Sequence, residues 1–151
     1  MEVLVEEIPN KDVVHRHVDH PRMYNEMEGL IWKQVFLFSN GPESLVWSKH
    51  APKEEDVHRL GCKREAEKRT AKSHFRYSGY ISAHVGDIRA IRTAAGHGFE
   101  VVHAPKEGTS HAEINYLLRP GIQKLKPAEK SDLKESLKKC FGDLVAHSCD
   151  Q

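Results

Sequence analysis

Cysteine is scarce in this chain. Its 151 residues include three cysteines, Cys62, Cys140 and Cys149, and no two of them form a CxxC pair. An odd number of widely spaced cysteines argues against a disulfide framework and favours a reducing cytoplasm as the compartment of the protein.

Long apolar runs are also lacking. No stretch approaches the roughly 18 apolar residues that a membrane-spanning helix needs, and the acidic opening MEVLVEEIPN does not have the apolar core of a secretory signal. The formal net charge is only +1, so binding of a nucleic acid would require a local basic patch. We therefore expect a soluble cytoplasmic protein without a membrane partner.

Several motifs that identify common enzyme classes are missing. The chain contains no GxGxxG or GxxxxGK[ST] phosphate loop, no GxSxG nucleophile elbow and no HExxH zinc motif. Histidine, by contrast, is abundant, with eleven residues. Because histidine changes charge near neutral pH, a structural protein that responds to pH is one open possibility.

The order of apolar patterns predicts an α+β fold. The length fits one domain, which we place at residues 13–151 behind an N-terminal arm or edge strand at 1–12. Strands are predicted at 13–18, 32–39, 44–48, 75–85, 99–104 and 111–118, and helices at 51–73, at 87–95 and from Pro127 onward. Hairpins rather than regular βαβ units favour a small, mostly antiparallel sheet.

Two helices are expected to cover this sheet. In the last one, Leu133, Leu137, Phe141 and Leu144 are spaced 4, 4 and 3 residues apart, so this amphipathic helix should seal the core. The helix at 51–73 has a thin apolar stripe and many charges. It is predicted to be a charged surface helix, interrupted or loosened at Gly61.

The stretch FEVVHAPKEGTSHAEI, residues 99–114, predicts a hairpin with polar residues at its mouth. Residues two apart share a face of a strand, so His111 and Glu113 should point the same way. If the strands pair so that His103 faces His111, and His84 ends a neighbouring strand, a His/Glu centre results. It could transfer protons, or its three imidazoles, His84, His103 and His111, could hold zinc; the alternative is a set of solvated strand ends. No cofactor is identified by the pattern.

Two arginines in VHRHVDHPR, residues 14–22, form a second candidate. Alternation places His15 and His17 on one face of a strand and Arg16 on the other. Arg16 and Arg22 could hold a phosphate or carboxylate through paired hydrogen bonds. The alternative interpretation is a polar edge strand.

A basic stretch from residue 59 to residue 76 is the third candidate. It holds seven Lys and Arg against two Glu. Arg64, Lys68, Lys72 and Arg76 would form one row at intervals of four if the helix ran that far. Such a row could bind an acidic protein partner or a nucleic acid backbone, and the alternative is a solvated helix face.

A fourth pattern combines cysteine with histidine. His58 and Cys62 lie four residues apart and hence on one helix face. His147 and Cys149 could complete the four ligands of a structural zinc site, although no spacing motif requires it.

The segments VHRHVDHPR, SGYISAHVGDIRAI and VVHAPKEGTSHAEI together resemble a group of short bacterial proteins across residues 14–115. That group has no assigned activity, so the resemblance implies only a small bacterial accessory protein. The order of His15 or Arg16, Tyr80 or Ser82, and Glu113 also resembles the NAD site of ADP-ribosyltransferase-like folds, by analogy alone.

Two functional hypotheses follow. The first is an interaction domain that binds a protein partner or polyanion through the basic helix face. The alternative is a small enzyme or nucleotide-ligand domain centred on His84, His103, His111 and Glu113.

Overall fold

A computed structural model describes residues 4–69 and 74–149. The elements are, in chain order, β1 (Val13–His20), β2 (Tyr24–Asn25), β3 (Gly29–Leu30), α1 (Trp32–Val35), β4 (Glu43–Trp47), α2 (Glu54–Lys68), β5 (Arg76–His84), α3 (Val85–Arg89), β6 (Gly98–His103), a 3-10 turn (Pro105–Glu107), β7 (His111–Leu117), α4 (Pro127–Cys140) and β8 (Val145–Ala146).

The main sheet has six strands in the order β6-β7-β4-β1-β5-β8, and neighbouring strands pair antiparallel. Strands β2 and β3 form a separate small ribbon. The longest pairing joins β1 to β5 from Val13↔His84 to His20↔Arg76. The predicted α+β class with a mostly antiparallel sheet is therefore confirmed.

The hydrophobic core lies on one face of the sheet, called here the inner face. Helices α3 and α4 cover it, and Leu133 and Leu137 of α4 are fully buried, as their spacing predicted. Helix α4 ends at Cys140, so Phe141 continues the apolar contact from beyond the helix. Pro127 stands at its first turn, and the Lys126 N–H donates to Glu129 Oε1 at 2.9 Å, which satisfies one free amide of that turn.

Helix α2 packs on the opposite, outer face of the sheet. Val57 of the helix joins Val46 and Tyr80 of the strands in a second, smaller apolar cluster. The helix is continuous through Gly61, so the predicted interruption is wrong. A Cβ at Gly61 would lie 2.4 Å from the Tyr77 ring, and the missing side chain therefore permits the close approach of α2 to β5.

One predicted strand does not form. Residues 32–39 begin as the short helix α1 and then continue without strand pairing, and β4 pairs with β1 and β7 instead of making a hairpin with this segment. A continuous apolar run is compatible with either a buried strand or a buried turn of helix. Here Val35 and Phe36 are buried in the core, and Phe38 adopts a positive φ of 54° that interrupts extended backbone.

The N-terminal arm lies against the inner-face core. Its residue Ile8 is 2% exposed, and no strand forms between residues 4 and 12. Within residues 4–69 and 74–149, we find no helix with the length and apolar character that crossing a bilayer requires.

Candidate functional site

The predicted His/Glu centre does not assemble, because the β6–β7 register differs by one residue from the one expected. His103 pairs with Ala112 and not with His111. Since side chains alternate along a strand, His103 lies on the inner face with Ala112, whereas His111 lies on the outer face. The expectation that His103 and His111 face each other is therefore wrong.

His103 instead anchors the N-terminal arm. Its Nδ1 accepts a hydrogen bond from the Glu6 N–H at 3.0 Å, and its Nε2–H donates to the Thr109 carbonyl at 2.8 Å. A cluster of Glu6, His50 and His103 has the spacing to hold a cation. Because both ring nitrogens of His103 are engaged, a metal there would have to displace the arm or the loop.

His111 and Glu113 do share the outer face, as alternation predicted. The His111 ring is held by the Ala104 carbonyl at 2.8 Å and by Ser44 Oγ at 3.0 Å. His84 is exposed at the end of β5, and strands β4 and β1 separate β5 from β7. Three strand spacings amount to about 14 Å, so His84 does not join His111 and Glu113, and no common zinc shell forms from His84, His103 and His111.

The outer face also carries the residues of the ADP-ribosyltransferase analogy. His15 Nδ1 lies 2.7 Å from Ser82 Oγ, and the His15 ring meets Tyr80 edge-on. Glu113 is opposite Ser44 on β4, two strands from His15. The geometry brings His15, Ser82 and Tyr80 together but leaves Glu113 about 10 Å away by strand spacing.

Arg16 is not available to a ligand. It points to the inner face, as alternation predicted, and donates from Nε and Nη2 to the Val35 carbonyl and from Nη1 to the Ser44 carbonyl. Arg22 donates to the Gln34 carbonyl and lies beside Asp19. The prediction that Arg16 and Arg22 together bind an anion is therefore wrong. The Arg16 guanidinium is buried, and backbone carbonyls already accept its hydrogen bonds.

The predicted basic row is also broken. Helix α2 ends at Lys68, so Arg76 stands on β5, and Lys72 lies outside the described residues. Arg64 bonds Asp19 Oδ1 at 2.9 Å and lies over the Phe75 ring. Of the four residues, Lys68 alone is exposed on the helix surface within the part of the chain that the structure describes.

The Cys/His pattern, by contrast, comes together. His58 and Cys62 on α2 lie beside the segment that follows β8, and the His58 and His147 rings stack with centroids 4.1 Å apart. Cys62 and Cys149, 87 residues apart in sequence, are joined by a disulfide. The argument against disulfide bonding is therefore wrong, because one bond needs only two cysteines and the β5–β8 pairing brings these two together. Cys140 stays free.

Two clefts flank this cluster, and His147 borders both. The larger, called here the Arg76 cleft, has a volume of about 500 Å³. It is lined by His20, Tyr24, Glu26, Glu65, Arg76, Tyr77, Ser78, Ala146, His147, Ser148 and Cys149. The smaller, called here the His58 cleft, has a volume of about 380 Å³ and is lined by Glu54, Glu55, His58, Arg59, Cys62 and His147.

Tyr77 is a buried residue of this site that the sequence interpretation missed. Its hydroxyl lies 2.8 Å from His58 Nδ1, and burial, assisted by Tyr80 and Glu54, raises its pKa. Burial, assisted by neighbouring His147, lowers the pKa of His58. Both groups are therefore held neutral at physiological pH. An aromatic residue in a strand is normally core, so the sequence carried no signal for this contact.

Arg76 contributes the guanidinium that the described residues place in the wall of the Arg76 cleft. Its Nη1 is buried and has no hydrogen-bond partner among residues 4–69 and 74–149. Glu65 nearby is 7% exposed and accepts the Tyr77 N–H at 2.8 Å, so its carboxylate is already engaged. Buried donors are nearly always paired, so this nitrogen requires a partner beyond the described side chains, such as a water or a bound ligand.

Comparisons with protein-family models, with curated proteins and with solved structures give no match to this chain.

Proposed function

We propose that the protein binds a small polar ligand carrying a phosphate or carboxylate group in the Arg76 cleft. The observation that carries this proposal is the buried, unpaired Nη1 of Arg76. A guanidinium recognises planar or tetrahedral oxyanions through charge-assisted hydrogen bonds, which are the strongest hydrogen bonds that proteins make. This proposal keeps the hypothesis of a small enzyme or nucleotide-ligand domain. It places the site at Arg76 and no longer at His103 and His111.

The size and lining of the cleft support this class of ligand. A volume of about 500 Å³ falls within the range of about 300–1,000 Å³ typical of small-molecule sites. Tyr24 offers a ring and a hydroxyl group, and Ser78 offers a second hydroxyl. Glu26, which lies 3.3 Å from His20, could accept a donor from the far end of the ligand. A mononucleotide has this combination of an oxyanion, a ring and donor groups.

Replacing Arg76 with methionine should weaken this binding. Loss of a charge-assisted hydrogen bond costs about 1.5–3 kcal/mol, so we expect the affinity for adenosine monophosphate or inorganic phosphate to fall about ten- to hundredfold. Isothermal titration calorimetry on the full chain measures this directly. Arg119→Met removes an equally charged, exposed side chain outside the cleft and should leave binding unchanged. If wild type and Arg76→Met bind these probes equally, or neither binds, the proposal is wrong.

We also propose, as a second function, that the end of helix α2 docks on an acidic partner or a nucleic acid. Lys63, Lys68 and Arg69 are exposed, and none of them forms an ion pair with another described residue. This smaller patch replaces the row that was to include Arg64, whose charge is already engaged by Asp19. A partner protein and the bacterial accessory role stay predictions.

A charge reversal tests this patch. The triple variant Lys63→Glu, Lys68→Glu and Arg69→Glu should weaken binding to a 20-nucleotide RNA at low salt at least tenfold. Lys and Arg side chains provide the contacts to the RNA phosphates, and glutamates repel them. Fluorescence anisotropy reports the affinity. The matched control reverses three exposed lysines of α4, Lys130, Lys138 and Lys139, and changes the net charge equally. Equal weakening in both triples would reveal a general charge effect and no docking surface.

The cytoplasmic location is likewise a proposal. Disulfides are rare in reducing compartments and persist in oxidising ones. In the cytoplasm, Cys62 and Cys149 would therefore be present mainly as free thiols.

A further inference from the structure

We propose that Cys62, His147 and Cys149 form a zinc site that exists only when the Cys62–Cys149 disulfide is reduced. The Sγ atoms of the two cysteines and a ring nitrogen of His147 all lie within 4.8 Å of one another. The proposal goes beyond the ligand cleft and does not depend on Arg76.

The donor set matches the chemistry of zinc. Zinc binds thiolate sulfur at about 2.3 Å and imidazole nitrogen at about 2.0–2.1 Å in a tetrahedral arrangement. Two sulfurs and one nitrogen provide three of its four ligands, which is the pattern of a site that keeps one position open. His58 does not supply the fourth ligand here, because its Nδ1 faces the Tyr77 hydroxyl and its Nε2 lies 3.6 Å from Glu54. The fourth position is taken by water from the adjoining His58 cleft.

The positions of the ligands in the fold support a preformed site. Cys62 is fixed by helix α2, which Gly61 allows to lie close to Tyr77. His147 is fixed by its backbone N–H, which donates to the Ser78 carbonyl at 3.0 Å, and by stacking of its ring on His58. The strand before Cys149 pairs with β5 through only two residues. The two sulfurs need to separate to about 3.8 Å around a tetrahedral zinc, and this short pairing leaves Cys149 room to do so.

The switch is a thiol–disulfide exchange followed by metal binding. A dithiol reductant attacks the disulfide, the Cys62–Cys149 bond breaks, and the reductant becomes a cyclic or protein disulfide. Two electrons pass to the two cysteine sulfurs, and the two protons of the reductant end on them as thiols. Zinc binding then releases those two protons to solvent as the thiolates form. Zinc itself does not change its oxidation state.

The second cluster of candidate metal ligands does not have free donor atoms. Glu6, His50 and His103 also lie within ligand distance of one another, but both nitrogens of His103 are committed to the Glu6 amide and the Thr109 carbonyl. In the cluster of Cys62, His147 and Cys149, reduction of the disulfide frees the two sulfur ligands.

Cobalt(II) and zinc titrations of the full chain test the proposal. The protein is reduced with a phosphine, and its thiols are counted before metal is added. We expect the reduced chain to bind one equivalent of cobalt(II) with thiolate-to-metal and tetrahedral absorption bands that zinc abolishes, whereas the oxidised chain shows neither band. His147→Ala should weaken binding at least tenfold. Cys149→Ser leaves Cys62 as a single thiolate ligand, so the absorption that is characteristic of a site with two thiolates should disappear.

Cys140→Ser is the matched control, since this free cysteine lies outside the cluster, and it should bind cobalt(II) like the wild type. Circular dichroism of the reduced, metal-free wild type shows whether the fold survives without the disulfide. The proposal is overturned if the folded reduced chain binds no cobalt(II), if the oxidised chain binds equally, or if His147→Ala binds as tightly as the wild type. Arg76→Met should keep metal binding, so this test and that of the ligand cleft fail independently.

Discussion

Replacing Arg16 with methionine is expected to lower the free energy of unfolding by about 3 kcal/mol, because it removes one side of a buried polar network. Arg16 is 5% exposed and is the hydrogen-bond donor for the carbonyls of Val35 and Ser44. It also lies 3.6 Å from Glu43 and over the Phe36 ring. Burial lowers its pKa to about 10, so it remains charged at neutral pH. Methionine fills the volume but leaves the Val35 and Ser44 carbonyls without this donor and the Glu43 carboxylate without its neighbouring cation.

Urea denaturation of the wild type and the variant measures the difference. Arg22→Met is the matched control: that side chain is 45% exposed and should cost less than about 1 kcal/mol. If Arg16→Met is as stable as the wild type, the conclusion that this buried guanidinium stabilises the fold is wrong.

The second large effect is a loss of stability in acid that originates in two histidines of β1. Burial lowers the pKa of His15 to about 4 and that of His17 to about 4. An unfolded histidine titrates near 6.5, so between these values the unfolded chain binds protons that the folded chain does not. Stability is therefore complete above pH 6.5 and falls as the pH drops toward 4.

We expect each ring to contribute on the order of 2 kcal/mol of destabilisation between pH 7 and pH 5, from the linkage between proton binding and unfolding. His15→Gln combined with His17→Gln should flatten this slope in urea denaturation at a series of pH values. Ser82 Oγ and the Val57 carbonyl are the partners of the two rings, and a neutral glutamine amide offers both a donor and an acceptor. His84→Gln, at an exposed position, should leave the slope unchanged. A wild-type profile that is flat from pH 7 to pH 5 would contradict the argument and the pH-responsive class with it.

Local patterns predicted the parts of the fold that depend on short-range physics. The stripe of Leu133 and Leu137 identified the sealing helix, and the alternation of β1 correctly separated His15 and His17 from Arg16. The hairpin of β6 and β7 was also readable, because turn residues separate two apolar runs.

What failed required long-range information. The β6–β7 loop contains a 3-10 turn at Pro105–Glu107 that shifts the pairing to His103↔Ala112, and a shift of one residue moves a side chain to the other face. The contact between Cys62 and Cys149 depends on β8 pairing beside β5, and no local pattern encodes a partner 87 residues away.

Gly61 connects the packing of helix α2 to the chemistry of the cysteines. The Tyr77 ring occupies the space that any larger residue at this position would need, and Cys62 is its immediate neighbour in the chain. A side chain at position 61 would have to displace the Tyr77 ring or lift helix α2 from the sheet, and lifting the helix would carry the Cys62 sulfur away from Cys149 and His147. Glycine at position 61 thus helps to hold the Cys62 sulfur where it can meet the Cys149 sulfur.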